Sequence, residues 1–193
     1  KEYIESLYTK YLDNGKVQEE HKEELAELLL NKTVLLIAPG KSSFDEKEKI
    51  ENIIRNDDVI SISINFDYTE ADFIFVSNLR RFRELESKRH EKCIITSNIT
   101  SDPVYLKTNY KDLLNDVEVV EDNAGLMAIK FLQGYNVKKI LLAGFDGYSL
   151  ITDENYFSKN LNLNVEDDRL EKLNQSIKSA IAQMKKKIEI SFL

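Results

Sequence analysis

The feature that most constrains the fold is a change of texture that begins at Thr33. From this residue on, short apolar runs alternate with longer polar stretches of helical periodicity. Continuous apolar runs are typical of strands buried on both faces of a parallel sheet, and the helices between them supply the crossover connections. The alternation therefore predicts an α/β fold with an open, doubly wound, mostly parallel Rossmann-like sheet and helices on both faces.

The apolar runs predict six strands, over residues 33–38, 59–64, 73–76, 92–96, 117–120 and 138–143. Helical patterns lie between and after them, over residues 43–56, 79–87, 124–134 and 167–187. Residues 100–112 are the least patterned and are expected to form a loop. Two amphipathic helices, over residues 2–12 and 18–31, precede the first strand. We therefore expect a helical connector or cap over residues 1–31 and a Rossmann-like domain over residues 32–193.

Charge and composition exclude several classes of protein. The 193 residues contain 27 Lys and Arg against 34 Asp and Glu, a formal net charge of −7, which argues against a nucleic-acid partner. No stretch approaches the roughly 20 consecutive apolar residues of a membrane span. The single Cys93 lies in an apolar run and is typical of a buried thiol in a reducing compartment. No signal segment opens the sequence, so a cytoplasmic protein is expected.

Small and polar residues follow almost every predicted strand. In open α/β sheets, ligands bind in the crevice beyond the carboxyl ends of the strands, so these residues are candidates for a binding site. Asn offers a donor and an acceptor without charge, which suits a nucleobase or a sugar hydroxyl, although each Asn taken singly also fits a turn or an N-cap. The candidates are Gly40, Lys41, Ser42 and Ser43, then Asn65, Asn78 and Asn98, then Asn123 and Gly125 at a helix start, and Asp146.

The turn after the first predicted strand has two possible roles. Residues 40–42 match the end of a P-loop, but residue 35, where the first glycine of that motif belongs, is Leu, which excludes a P-loop NTPase. Ser43 and Glu46 have the spacing of a capping box, so the turn feeds a helix. Either Ser43 only caps this helix, or the backbone N–H groups of residues 40–43, with Lys41, receive a phosphate.

Metal and nucleophilic chemistry find little support. The two histidines, His21 and His90, are far apart, and no metal site is predicted. Neither a Ser-His-Asp nor a Cys-His set can be assembled at the crevice. Arg80, Arg81 and Arg83 share one predicted helix, and we interpret them as a solvated face rather than an anion clamp.

Five segments together resemble the nucleotide-binding segments of bacterial sialyltransferases, and are also similar to the Rossmann-like family that includes hydroxymethylpterin diphosphokinases. They are residues 34–42 (VLLIAPGKS), 63–66 (SINF), 75–78 (FVSN), 122–129 (DNAGLMAI) and 140–148 (ILLAGFDGY). In those transferases the glycine turn holds the phosphate of a cytidine monophosphate sugar, so the resemblance implies a nucleotide or nucleotide-sugar ligand of cytidine or uridine type. It further implies that the Asn residues address ribose and base.

The same resemblance implies that Asp146 and Tyr148 lie near the reacting sugar. Sialyltransferases of this kind carry a catalytic His downstream of the Gly-x-Asp-x-Tyr segment, and this sequence has no His after Tyr148. Asp146 and Tyr148 are therefore the candidate catalytic residues if the chain transfers a sugar.

A second resemblance concerns the whole chain. Residues 3–8 (YIESLY), leading into a Rossmann-like unit, resemble the C-terminal region of aldolases of the hydroxymethylglutaryl-CoA-lyase-like, 4-hydroxy-2-oxovalerate aldolase type. The resemblance implies an aldolase-like barrel on the N-terminal side, and the first residue, Lys1, agrees with an origin in a longer protein. Those aldolases bind a divalent metal through a His-x-His pair, which this sequence lacks.

The expected function is therefore an accessory domain of an aldolase-type lyase that binds a nucleotide or a nucleotide-sugar at the crevice. Two alternatives stay open at this stage. One is a sialyltransferase-like glycosyltransferase, and the other is a degenerate domain that serves assembly, for instance as a homo-oligomer.

Overall fold

A computed structural model describes residues 20–101, 103–147 and 167–193. Within these ranges the chain forms a seven-stranded sheet. The strands are β1 (Thr33–Ile37), β2 (Val59–Ile64), β3 (Phe73–Val76), β4 (Cys93–Thr96), β5 (Leu106–Thr108), β6 (Lys139–Ala143) and β7 (Ile190–Phe192). The helices are α1 (Lys22–Leu29), α2 (Lys41–Asp45), α3 (Lys47–Ile54), α4 (Leu79–Glu84), α5 (Ala124–Leu132) and α6 (Asp167–Met184).

All neighbouring strands are parallel, and their order is β5-β4-β3-β2-β1-β6-β7. The chain first builds outward from β1 to β5 and then returns to the other side of β1, where β6 and β7 are added. Thr33 in β1 pairs with Val59 in β2 and with Lys139 in β6. The direction of winding therefore reverses between β1 and β6, and the fold is a Rossmann-like α/β fold.

Helices cover both faces of the sheet because successive strand residues point to opposite sides. Val34 and Leu36 contribute to the largest core cluster, which also contains buried residues of α1, α5 and α6. Leu35 and Ile37 face the other way and pack with Ile50 of α3. All five β1 residues are buried, as expected for an inner strand of a three-layer fold.

The predicted strand over residues 117–120 is wrong. Residues Glu118–Val120 form a 3-10 turn, because Asn115 offers this segment local hydrogen bonds in place of a sheet ladder. The Asn115 amide oxygen accepts from the N–H of Val117 (2.9 Å), and its Nδ2 donates to the carbonyl of Val120 (2.6 Å). The edge strand on this side is instead β5, which lies inside the predicted loop.

The predicted helix over residues 43–56 begins earlier and is interrupted. It starts at Lys41 and divides at Glu46, whose φ of −100° and ψ of 19° separate α2 from α3. The expected capping box is absent, since Ser43 lies inside α2 and its Oγ donates to the carbonyl of Gly40 (2.7 Å). The predicted helix over residues 2–12 lies outside the described residues. In the described ranges, no helix is long and apolar enough to cross a membrane.

Candidate functional site

A cleft of about 400 Å³ opens at the carboxyl ends of the strands, where the winding of the sheet reverses. Loops that follow β1, β2, β3 and β6 meet here with the start of α5. Six of the candidate residues lie in its lining: Gly40, Asn65, Asn78, Asn123, Gly125 and Asp146. Lys41, Ser42 and Ser43 do not line the cleft, and Asn98 is turned away, with its Nδ2 donating to the carbonyl of Ser77 (3.0 Å).

The glycine turn is closed by contacts with the loop after β6. The Gly40 N–H donates to the carbonyl of Gly144 (3.1 Å), and the Ser42 N–H donates to Asp146 Oδ2 (2.8 Å). The Ser42 hydroxyl donates to the other carboxylate oxygen, and the Ser43 N–H donates to the carbonyl of Gly40 (3.1 Å). Three of the four N–H groups expected to receive a phosphate are therefore already bound to protein oxygens. The Asp146 carboxylate accepts from the two hydrogen-bond donors of Ser42 in this turn.

Gly40 and Gly144 allow the two loops to approach backbone to backbone. A Cβ on Gly40 would lie 2.2 Å from the Gly144 carbonyl oxygen, and a Cβ on Gly144 would lie 2.1 Å from the Ala38 carbonyl oxygen. Gly144 also has a φ of +72°, a conformation that side chains with a Cβ rarely adopt. The floor of the cleft therefore depends on the absence of side chains at both positions. Gly125 has a different role, because it leaves space for the ring of Phe145.

Three Asn side chains of the cleft each turn the amide oxygen toward a backbone N–H group. The amide oxygen of Asn65 accepts from the N–H of Ser77 (3.2 Å). Asn78 caps α4 by accepting from the N–H of Arg81, and Asn123 caps α5 by accepting from the N–H of Leu126, each at 3.2 Å. Each of these Asn residues therefore organises a loop or caps a helix, and each also lines the cleft.

Arg81 is a cleft residue that the sequence analysis assigned to a solvated surface. It is 9% exposed and lines the cleft, whereas its neighbours Arg80 and Arg83 are exposed. Its Nη1 donates to Glu84 Oε2 (3.1 Å). Desolvation acts to raise the pKa of Glu84, but hydrogen bonds and charge from Arg81 and Arg80 outweigh it and leave this pKa below its usual value. The helical spacing of the sequence could have indicated the position of Arg81. It stands three residues after the cap Asn78 and four before the half-buried Leu85, so it shares a helix face with both.

The rest of the lining combines a carboxylate with an apolar wall. Asp122 Oδ2 accepts a hydrogen bond from the buried Tyr110 hydroxyl (3.2 Å). Val119, Leu173 and Ile177 supply apolar surface. The lining of the cleft therefore combines apolar surface with hydrogen-bonding groups, as small-molecule sites do.

Cys93 and Tyr148 are two further side chains with reactive groups. Cys93 is buried in β4, as the sequence predicted, and burial raises the pKa of its thiol to about 12. Tyr148 lies outside the described residues. Among the residues described, no three His, Cys, Asp or Glu side chains are grouped so that they could hold a metal ion.

Fold and cleft together define an open α/β protein whose candidate ligand site lies at the switch point of a parallel sheet. No protein-family model matches the chain, and no curated protein is significantly similar to it.

Proposed function

We propose that this chain binds a nucleotide or a nucleotide-sugar in the cleft between the loops after β1, β2, β3 and β6. The observation that carries the proposal is the position of the cleft. In doubly wound sheets the switch point is the place where ligands bind, because the loops on either side of it diverge and leave a crevice. The cleft volume, about 400 Å³, falls in the range of about 300–1,000 Å³ typical of small-molecule sites.

The lining matches the parts of a nucleotide. Val119, Leu173 and Ile177 offer an apolar surface to a base, and Asp122 offers a carboxylate that accepts hydrogen bonds from ribose hydroxyls. Asn and Arg side chains face the more polar parts of such a ligand. This division of polar and apolar surface supports a nucleotide over a purely apolar ligand.

We further propose that the chain acts as an accessory domain of an aldolase-type enzyme, and this part rests on the sequence resemblance. The sequence lacks both the His-x-His pair of those aldolases and the His that follows Tyr148 in sialyltransferases. Binding without turnover is therefore the role proposed for the cleft.

A thermal-shift screen tests the proposal. Cytidine, uridine, guanosine and adenosine mono- and diphosphates are added to the protein with and without magnesium. A nucleotide present at a hundredfold its dissociation constant stabilises the folded state by about 2.7 kcal/mol, which raises Tm visibly. If none of these nucleotides raises Tm, the proposal is refuted, and a role in assembly takes its place.

A pair of Asn variants places the binding site. Asn65→Ala is expected to abolish the shift because Asn65 lines the cleft and orders the start of the loop after β3. Asn136→Ala is the matched control, since Asn136 is exposed and lies outside the cleft lining. Equal shifts in both variants would show that the nucleotide binds elsewhere.

A further inference from the structure

The orientation of the Asn amides determines which chemical groups the cleft offers to a ligand. Asn65, Asn78 and Asn123 each turn the amide oxygen toward a backbone N–H. Because a backbone N–H can only donate, the oxygen must occupy that position and the NH₂ group must point elsewhere. Among the described residues, none accepts a hydrogen bond from these three Nδ2 groups. The cleft therefore presents amide donors, whereas the sequence alone allowed donors and acceptors equally.

Two of these amides lie at the ends of the neighbouring strands β2 and β3, and Arg81 belongs to the helix that begins after β3. Asn65 follows β2 and is hydrogen bonded to Ser77 at the end of the neighbouring β3. Asn78 and Arg81 lie on the first turn of α4, where the Asn78 side chain caps the N–H of Arg81. We call Asn65, Asn78 and Arg81 the donor wall. Arg81 forms an ion pair with Glu84, and the residue is 9% exposed.

Two acidic side chains lie elsewhere in the lining of the cleft. Asp146 accepts two hydrogen bonds from Ser42 and lies at the glycine turn, and Asp122 lies at the start of α5. A phosphate at either position would meet a carboxylate of the same charge. The donor wall is the part of the lining that combines a positive charge with amide donors, which is the arrangement that binds phosphoryl oxygens tightly.

We infer that the phosphoryl group of the ligand binds at the donor wall, on Asn65, Asn78 and Arg81, and not at the glycine turn. The inference rests on the proposed nucleotide function, whose phosphate it relocates. It assigns Asp146 to holding the glycine turn closed and Arg81 to recognition of the anion.

The experiment is isothermal titration calorimetry with inorganic pyrophosphate, with CMP and UMP, and with cytidine and uridine. Arg81→Gln removes the charge, and Asn78→Asp keeps the helix cap while replacing the NH₂ group by an anionic oxygen. Both variants are expected to weaken pyrophosphate and nucleotide binding by at least about tenfold, because each removes a charge-assisted or directed donor. The nucleosides are expected to bind within about twofold of their wild-type affinity.

Arg80→Gln is the matched control, since Arg80 is on the same helix, 67% exposed, and carries the same charge. Its effect is expected to stay within about twofold. Melting curves of the free variants show whether Arg81→Gln is folded, and Asn78→Asp repeats the test with the cap preserved. Undiminished pyrophosphate binding in both folded variants would overturn the inference, as would a loss with Lys41→Gln that Arg81→Gln does not share.

The probes separate this inference from the proposed function. If pyrophosphate binds through Arg81 but no nucleotide or nucleoside binds, the anion site stands and the nucleotide function fails. If nucleosides and nucleotides bind with equal affinity and pyrophosphate does not bind, the nucleotide function stands and the donor wall is not its phosphate site.

Discussion

Substitution of Gly144 by Ala tests how the floor of the cleft is built. The new Cβ would lie 2.1 Å from the Ala38 carbonyl oxygen, and this atom belongs to the backbone and cannot rotate away. Overpacking of this kind costs about 1–3 kcal/mol. The φ of +72° adds about 1–2 kcal/mol for a residue with a Cβ. The variant is therefore expected to lose about 2–5 kcal/mol of unfolding free energy.

For a chain of this size, each kcal/mol lowers Tm by about 2–4 °C, so the expected fall is about 4–20 °C. Differential scanning calorimetry measures it, and urea titration gives the free energy. Gly134→Ala is the control, because Gly134 has no positive φ and the nearest atom to its added Cβ, the Phe131 carbonyl oxygen, is 3.3 Å away. Its stability is expected to change by less than about 1 kcal/mol. If both variants melt together with the wild type, the loops after β1 and β6 are not in contact and the cleft geometry is wrong.

Three further predictions concern single side chains. Asn123→Ala is expected to lose about 1 kcal/mol of stability with the α5 cap, and Asn123→Asp to recover most of it; equal urea midpoints for the two would contradict the capping role. Cys93, whose pKa burial raises to about 12, should resist a thiol reagent at pH 8 until urea unfolds the protein, and a reaction in the folded state would refute its burial. Burial and the nearby charges of Glu51 and Glu70 raise the pKa of Tyr68 to about 12. Because a tyrosine in the unfolded chain titrates at about 10, the protonated Tyr68 hydroxyl stabilises the folded state fully below that pH, and this stabilisation is lost as pH rises toward 12. Tyr68→Phe should flatten this alkaline loss in unfolding curves, and an unchanged slope would contradict it.

The inner strands β1 and β2 could be predicted because every residue in them is apolar or small. β1 is buried along its whole length, and such a run has few alternatives to a parallel strand. The edge strands β5 and β7 could not be predicted, because each has only three residues. In β5 the central residue is Lys107, which carries a charge although it is 8% exposed. Whether a short edge segment forms a strand depends on the neighbouring strand with which it pairs. The hydrophobic periodicity of the sequence does not show that pairing.

The position of the candidate site was predictable to the same degree as the strands. Residues that follow the carboxyl ends of parallel strands meet at one edge of the sheet. The assignment of the strands therefore also predicts that Asn65, Asn78 and Asp146 lie at the same edge. Their partners were not predictable. The contact between Ser42 and Asp146 joins residues 104 positions apart, and no local pattern carries it.

The glycine turn shows why a motif does not identify its ligand. Glycine at position 40 permits close approach of another group, and the sequence is silent on whether that group is a phosphate or a neighbouring loop. Here it is the Gly144 carbonyl, with Asp146 bound beside it. Both oxygens of the Asp146 carboxylate accept hydrogen bonds from Ser42, one from the N–H and one from the hydroxyl, so the contacts that close the glycine turn also fix this side chain. The close approach at Gly40 is therefore accounted for by a neighbouring loop, which the motif alone does not distinguish from a bound phosphate.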